Sequence, residues 1–165
     1  MAYTVERAHL GDEAILAHIQ TESWKAGFRG ILNDEILARC TQLDKVEAMY
    51  RRSLESGEGN GYILRIDGKP HCIAWWDQSR AQDMPGYAEL YCIHSLQDHW
   101  RRGFGSRMME RVLEDMKNAG YARVMLWVFA ENTRARAFYE AHGFADTGKI
   151  KPGIEPAEIC YVREL

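Results

Sequence analysis

The chain has 165 residues, 46% of them apolar and 27% charged, which suffices for one substantial core, so a single domain over residues 1–165 is expected. A formal net charge of -3 and a pI near 6.1 argue against a general nucleic-acid binder, and no apolar run approaches the ~20 residues of a membrane span. Met1 to Leu10 carry no hydrophobic signal core, and Cys40, Cys72, Cys92 and Cys160 form no Cys-x-x-Cys pair, so the expectation is a soluble cytoplasmic protein with reduced, mostly buried thiols.

Along the chain, Tyr3, Val5 and Arg7 alternate with Thr4, Glu6 and Ala8, which predicts a short strand; Gly11-Asp12 then opens a helix with Ile15 and Ile19 on one face. Asn33 ahead of Asp34 and Glu35 predicts a second helix start, and Asp44-x-x-Glu47 resembles a capping box ahead of Val46, Met49, Tyr50 and Leu54. After the break at Gly57 to Gly61, the runs Tyr62 to Ile66 and Cys72 to Trp76 flank Asp67-Gly68-Lys69-Pro70 and predict a β-hairpin. A strand is expected over about Tyr87 to Ser95. Phe104, Met108, Val112, Leu113 and Met116 then repeat at helical spacing up to Gly120. Val124 to Phe129 is apolar on both faces and should be a central strand. A helix from Asn132 to about His142 and two closing strands, Phe144 to Ile150 and Ile159 to Val162, complete the reading. The order describes a mixed α/β sheet, with a ligand site expected where a strand end meets a glycine turn.

That turn is Ile93-His94-Ser95-Leu96-Gln97-Asp98-His99-Trp100-Arg101-Arg102-Gly103-Phe104-Gly105-Ser106. Gly103 and Gly105 allow the backbone close to a ligand, and the following helix start offers unpaired N–H groups with a partial positive charge, beside Arg101, Arg102 and Arg107. The pattern is an anion cradle of a particular kind. Met108 stands where a dinucleotide fingerprint needs Gly or Ala, and no Gly-Lys-Ser/Thr triplet exists, so neither Rossmann nor P-loop nucleotide binding fits.

A second segment, Asn132-Thr133-Arg134-Ala135-Arg136-Ala137-Phe138-Tyr139-Glu140-Ala141-His142-Gly143-Phe144, joins the first. Together they resemble the GCN5-related N-acetyltransferase (GNAT) family, whose cofactor loop is commonly Gln/Arg-x-x-Gly-x-Gly/Ala and whose later helix reads Asn-x-x-Ala-x-x-Phe-Tyr-x-x-x-Gly-Phe. Tyr3 to Ala8, Glu22-Ser23-Trp24 with Phe28 to Leu32, and Glu89-Leu90-Tyr91 look like further landmarks in the expected order. Trp100 departs from the usual Gln or Arg, and Arg101 sits where Gly is common.

The resemblance implies an α/β fold with a mixed, mostly antiparallel central sheet of about seven strands, flanked by helices on both faces and splayed at the cofactor site. It implies acetyl-CoA as cosubstrate and direct acetyl transfer to a primary amine of a small-molecule or peptide acceptor. Under it the backbone of Ile93, His94 and Ser95 would pair with the pantetheine arm and thioester. Arg101, Arg102, Gly103, Phe104, Gly105 and Ser106 would hold the pyrophosphate, with Asn132 and Tyr139 as further contacts.

Tyr139 takes the position of the acid that protonates the departing thiolate. For the base, Glu89 lies fourteen residues before Gly103, the offset of the base glutamate in the histone-modifying branch. His94 is the other candidate, on the opposite strand face unless a bulge intervenes, and water the third. Trp127 takes the place of a carboxylate found in some relatives. Trp24 and Phe28 are candidates for an acceptor pocket. His9, His18, His71, His99 and His142 show no ligand spacing, so no metal is expected. A non-catalytic CoA-binding sensor or interaction module is the alternative reading. Dimerisation is common in such a family, but no interface is fixed by these residues.

Overall fold

The fold is described here from a computed structural model of the chain, covering residues 1–153 and 155–165. Strand β1 (Tyr3–Arg7) leads into α1 (Glu13–Gly27), whose start is organised by Asp12. The Asp12 carboxylate accepts the His9 N–H at 3.0 Å and its carbonyl accepts the Leu16 N–H at 3.0 Å. Asn33 caps α2 (Asp34–Cys40), its side-chain oxygen accepting the Ile36 N–H at 2.8 Å.

Helix α3 (Leu43–Ser56) corrects the expected capping box. The Gln42 carbonyl already accepts the Val46 N–H at 3.1 Å, so Asp44 lies inside the first turn and Glu47 pairs with Arg51 at 3.3 Å. Cys40 is exposed, against the expectation of mostly buried thiols, whereas Cys72 and Cys160 are buried.

Strands β2 (Asn60–Ile66) and β3 (Lys69–Gln78) form the hairpin. Its turn is shorter than expected: only Asp67 and Gly68, at φ 48° and 82°, lie outside the strands, which is the left-handed pair a two-residue hairpin needs. β4 (Ala88–Ser95), a 3-10 turn at Gln97–His99, α4 (Phe104–Asn118), β5 (Arg123–Phe129), α5 (Thr133–Ala141), β6 (Ala145–Ile150) and β7 (Glu158–Glu164) follow.

The sheet order is β1-β2-β3-β4-β5-β7-β6, and only the β4–β5 pair is parallel. This is the expected seven-stranded, mostly antiparallel sheet with helices on both faces. One face packs Tyr62, Leu64, Trp76, Leu90 and Leu126 against Phe104, Met108, Val112 and Met116 of α4. The other packs Ile63, Ile73 and Trp75 against Leu16 and Ile19 of α1 and Val46 and Tyr50 of α3. Alternation along the strands sorts these two sets, and their burial holds the sheet between its helical layers.

Candidate active site

Strands β4 and β5 pair only at Ala88↔Val124 and Glu89↔Met125. Beyond these the two strands separate, which is the splay expected of the sheet. A bulge lies where the separation begins: Leu90 opposes Trp76 and Cys92 opposes Trp75, leaving Tyr91 as the extra residue. The bulge changes which side chains share a face. Leu90 packs on the α4 side, whereas Tyr91 and Cys92 both pack on the α1 side, so Glu89 and His94 come to lie on the same face.

The backbone of β4 is sorted by the same alternation. The Leu96 N–H donates to the His71 carbonyl at 3.0 Å, which directs the amide of His94 toward β3 as well and those of Ile93 and Ser95 toward the gap. Of the three backbone contacts expected, two therefore face the splay, and His94 contributes its side chain. The Ser95 carbonyl accepts the indole N–H of Trp100 at 3.1 Å.

At the glycine turn, Gly103 stands before α4 at φ 84°, where an added Cβ would meet nothing within 4 Å. Its requirement is conformational. The amides of Phe104, Gly105 and Ser106 occupy the first turn, where no intrahelical acceptor exists, and no side chain caps them. Phe104 turns its ring inward, 5.7 Å from that of His71, so it offers the turn only its N–H. Ser106 Oγ is 3.0 Å from His142 Nε2. Gly105 has a packing role that the sequence did not reveal, since a Cβ there would lie 3.3 Å from the Phe138 ring.

Arg101 adopts φ 65°, the left-handed region, in a residue with a full side chain. Glycine would adopt this conformation at little cost. Arg102 and Arg107 line a cleft of about 630 Å³ with Tyr3 and Glu110, on the far side of Gly103 and Ser106, which border both this cleft and the larger cavity.

The splay opens into a cavity of about 1170 Å³. One part is bordered by Ile93, His94 and Ser95, by Arg101, Gly103, Gly105 and Ser106, and by Asn132, Arg134, Phe138 and Tyr139. Asn132 Oδ1 caps α5 by accepting the Ala135 N–H at 3.2 Å. Arg134 was not singled out from sequence. Its guanidinium lies 3.7 Å from the Trp100 ring, so the irregular Trp100 holds a cation at the cavity wall. Tyr139 has its ring between those of Phe138 and Phe144, at 5.6 and 5.8 Å. Burial pushes its phenol above the usual value, so it is neutral and able to donate a proton at pH 7.

The other part of the cavity is aromatic. Trp24 meets Phe28 at 4.9 Å between centroids, and Phe28 meets Phe129 at 5.0 Å; Trp127 and Trp75 also line it. Trp24 Nε1–H donates to His94 Nε2 at 3.1 Å. This bond leaves the imidazole proton on Nδ1, and burial lowers the His94 pKa to about 4. Glu89 is 2% exposed and does not itself border the cavity. Its carboxylate accepts the Arg80 N–H at 3.0 Å, Nε–H at 3.3 Å and Nη2–H at 2.7 Å, and Arg80 is the member of the pair that lines the cavity.

His71, Asp98 and His99 also come together beside the glycine turn, although their sequence spacing gave no reason to group them. Neither ring nitrogen of His71 has a hydrogen-bond partner among the described residues, an arrangement that costs about 1–3 kcal/mol in a buried polar group. No helix among those residues is long and apolar enough to cross a membrane.

Residues 30–144 match the model of the acetyltransferase (GNAT) family. The chain belongs to that family. A probable N-acetyltransferase of Mycobacterium tuberculosis is 26% identical over 127 residues, covering 76% of this chain and 70% of the relative. An uncharacterised N-acetyltransferase of Bacillus subtilis is 24% identical over 141 residues, covering 84% and 78% of the two chains. Among solved structures, the PaiA N-acetyltransferase of Thermoplasma acidophilum, in complex with coenzyme A, superposes with a TM-score of 0.79 over 100% of both chains at 17% identity. That likeness is one of fold, and family membership makes the chain an acetyltransferase.

Proposed function

We propose that residues 1–165 act as one acetyltransferase domain that moves an acetyl group from acetyl-CoA directly to a primary amine of a small-molecule or peptide acceptor. The observation that carries this reading is the single cavity joining the glycine turn, the free amides at the end of β4 and the phenol of Tyr139. The coenzyme A held by the Thermoplasma relative supports the choice of donor.

In this reading the first-turn amides of α4 and the turn from Arg101 to Ser106 take the pyrophosphate, aided by the helix dipole. The Ile93 and Ser95 amides take the pantetheine arm and the thioester carbonyl, and Asn132 and Arg134 border the arm. The amine nitrogen attacks the thioester carbon, its C–N bond forms, and the oxyanion is met by a β4 amide. Collapse breaks the C–S bond, and Tyr139 gives its proton to the thiolate.

The amine must first lose a proton. Glu89 and His94 now share a face, but the Nε2 lone pair of His94 is engaged by Trp24, and its lowered pKa makes it a weak acceptor. Three Arg80 donors leave Glu89 Oε2 with one acceptor bond. We therefore assign the base role to Glu89, reached by water passing Arg80, which borders the cavity and holds the carboxylate in place. Glu89→Gln should lower kcat/KM while acetyl-CoA affinity stays nearly unchanged; an unaltered kcat/KM would leave the proton to water alone.

The reading as a whole is tested by screening amines, amino acids, polyamines and peptides for acceptor-dependent release of the CoA thiol. Transfer to one amine class is expected. Acetyl-CoA binding without thiol release across the whole panel would restore the non-catalytic module.

A further inference from the structure

A buried histidine with two idle nitrogens stands next to the phosphate turn, outside the steps assigned above. His71 on β3 is 3% exposed, and both its Nδ1 and Nε2 lack a partner among the described residues. The His99 ring lies 5.0 Å away, edge to face, and Asp98 Oδ2 is 3.3 Å from His99 Nδ1. One ligand atom from each of His71, Asp98 and His99 falls within 4.8 Å of the others.

Two imidazoles and one carboxylate suit a borderline divalent metal, for which nitrogen donors outcompete the all-oxygen sets preferred by magnesium and calcium. A buried imidazole that finds no donor or acceptor in the protein is a ligand poised for such an ion.

We propose that His71, Asp98 and His99 bind one Zn²⁺ ion, tying the 3-10 turn at Gln97–His99 to β3 and so bracing the segment that enters the phosphate turn. The ion has a positioning role and takes no part in acetyl transfer. The three residues come from two elements far apart in sequence, so binding should stabilise their relative placement. This inference stands independently of the acceptor and of the proton route.

The test uses the chelator-treated full chain carrying Cys40→Ser, which removes the exposed thiol as a competing ligand. Calorimetry with ZnCl₂ should show one saturable equivalent and a higher Tm, with Mg²⁺ and Ca²⁺ giving neither. Co²⁺ should develop visible d–d absorption without a thiolate charge-transfer band. His99→Ala and Asp98→Asn should each weaken Zn²⁺ binding at least ten-fold, and His71→Gln supplies a third arm where it folds. Absence of saturable binding, a thiolate band, or undiminished affinity in His99→Ala and Asp98→Asn would overturn the site.

Discussion

The cavity has two halves built by different means. On the side of the glycine turn the groups facing inward are mostly main-chain: the amides of Ile93 and Ser95 and those opening α4, arranged by a strand, a turn and a helix start that are contiguous in sequence. On the aromatic side they are side chains, with Trp24 from α1 and Phe28 just after it meeting His94 from β4 and Phe129 from β5. A wall of backbone donors accepts any ligand with phosphates and amides in the right order and tolerates change in most side chains. A wall of side chains is specific to one ligand and sensitive to each truncation. Under the proposed function the backbone-built half takes the donor and the side-chain half takes the acceptor.

Tyr139 is the proton donor of the proposed reaction, and its substitution should have the largest effect. Tyr139→Phe removes the proton and little volume, so kcat should fall roughly 100-fold, within the range of general acid catalysis, with acetyl-CoA affinity nearly unchanged. Single-turnover kinetics beside equilibrium binding of CoA separate the two. Equal kcat under chemistry-limited conditions would remove Tyr139 from the mechanism.

Gly105→Val tests whether the donor half depends on side chains only where they crowd its backbone. The new Cβ would press on Phe138 at 3.3 Å, and Phe138 packs against Tyr139. Overpacking of this kind costs about 1–3 kcal/mol. A lower urea midpoint together with weaker CoA binding is expected. Loss of affinity at full stability would instead mean that the side chain intrudes on the cradle alone.

Phe28→Ala is the matching change in the acceptor half. It opens the contact with Trp24 and Phe129, and should raise the acceptor KM roughly ten-fold by removing aromatic contact area. The acetyl-CoA KM should move less than two-fold. Equal effects on both substrates would show that the two halves are not separable.

The same contrast governs what could be read from the chain before its fold was known. The donor half lies in two unbroken segments, Arg101 to Ser106 and Asn132 to Phe144, where glycine spacing and capping chemistry are local signals, so its position at a strand end and helix start was legible. The acceptor half depends on pairings such as Trp24 with His94 and Arg80 with Glu89, which no period encodes. Strict alternation put Glu89 and His94 on opposite faces, and one extra residue, Tyr91, reversed that. The grouping of His71 with His99 was hidden in the same way, because it arises from β3 lying beside the turn that leaves β4.

Arg101→Gly should produce the smallest change, and it separates shape from charge within the donor half. Arg101 holds φ 65°, which costs an L-residue about 1–2 kcal/mol and glycine almost nothing. Part of this gain is lost because glycine also has more freedom in the unfolded chain, leaving a net stabilisation of up to about 1 kcal/mol. The substitution also removes a cation whose charge, after burial, lowers the pKa of Arg134, so repulsion within the wall is relieved as well. Phosphate binding loses one positive charge, and CoA affinity should drop a few-fold, with the difference from the parent protein shrinking as salt is raised. A higher urea midpoint with weaker, less salt-sensitive CoA binding is therefore the expected pair of results. If affinity also rose, the left-handed turn and not the arginine charge would be limiting at this position, and the donor half would be backbone-built even at its most basic residue.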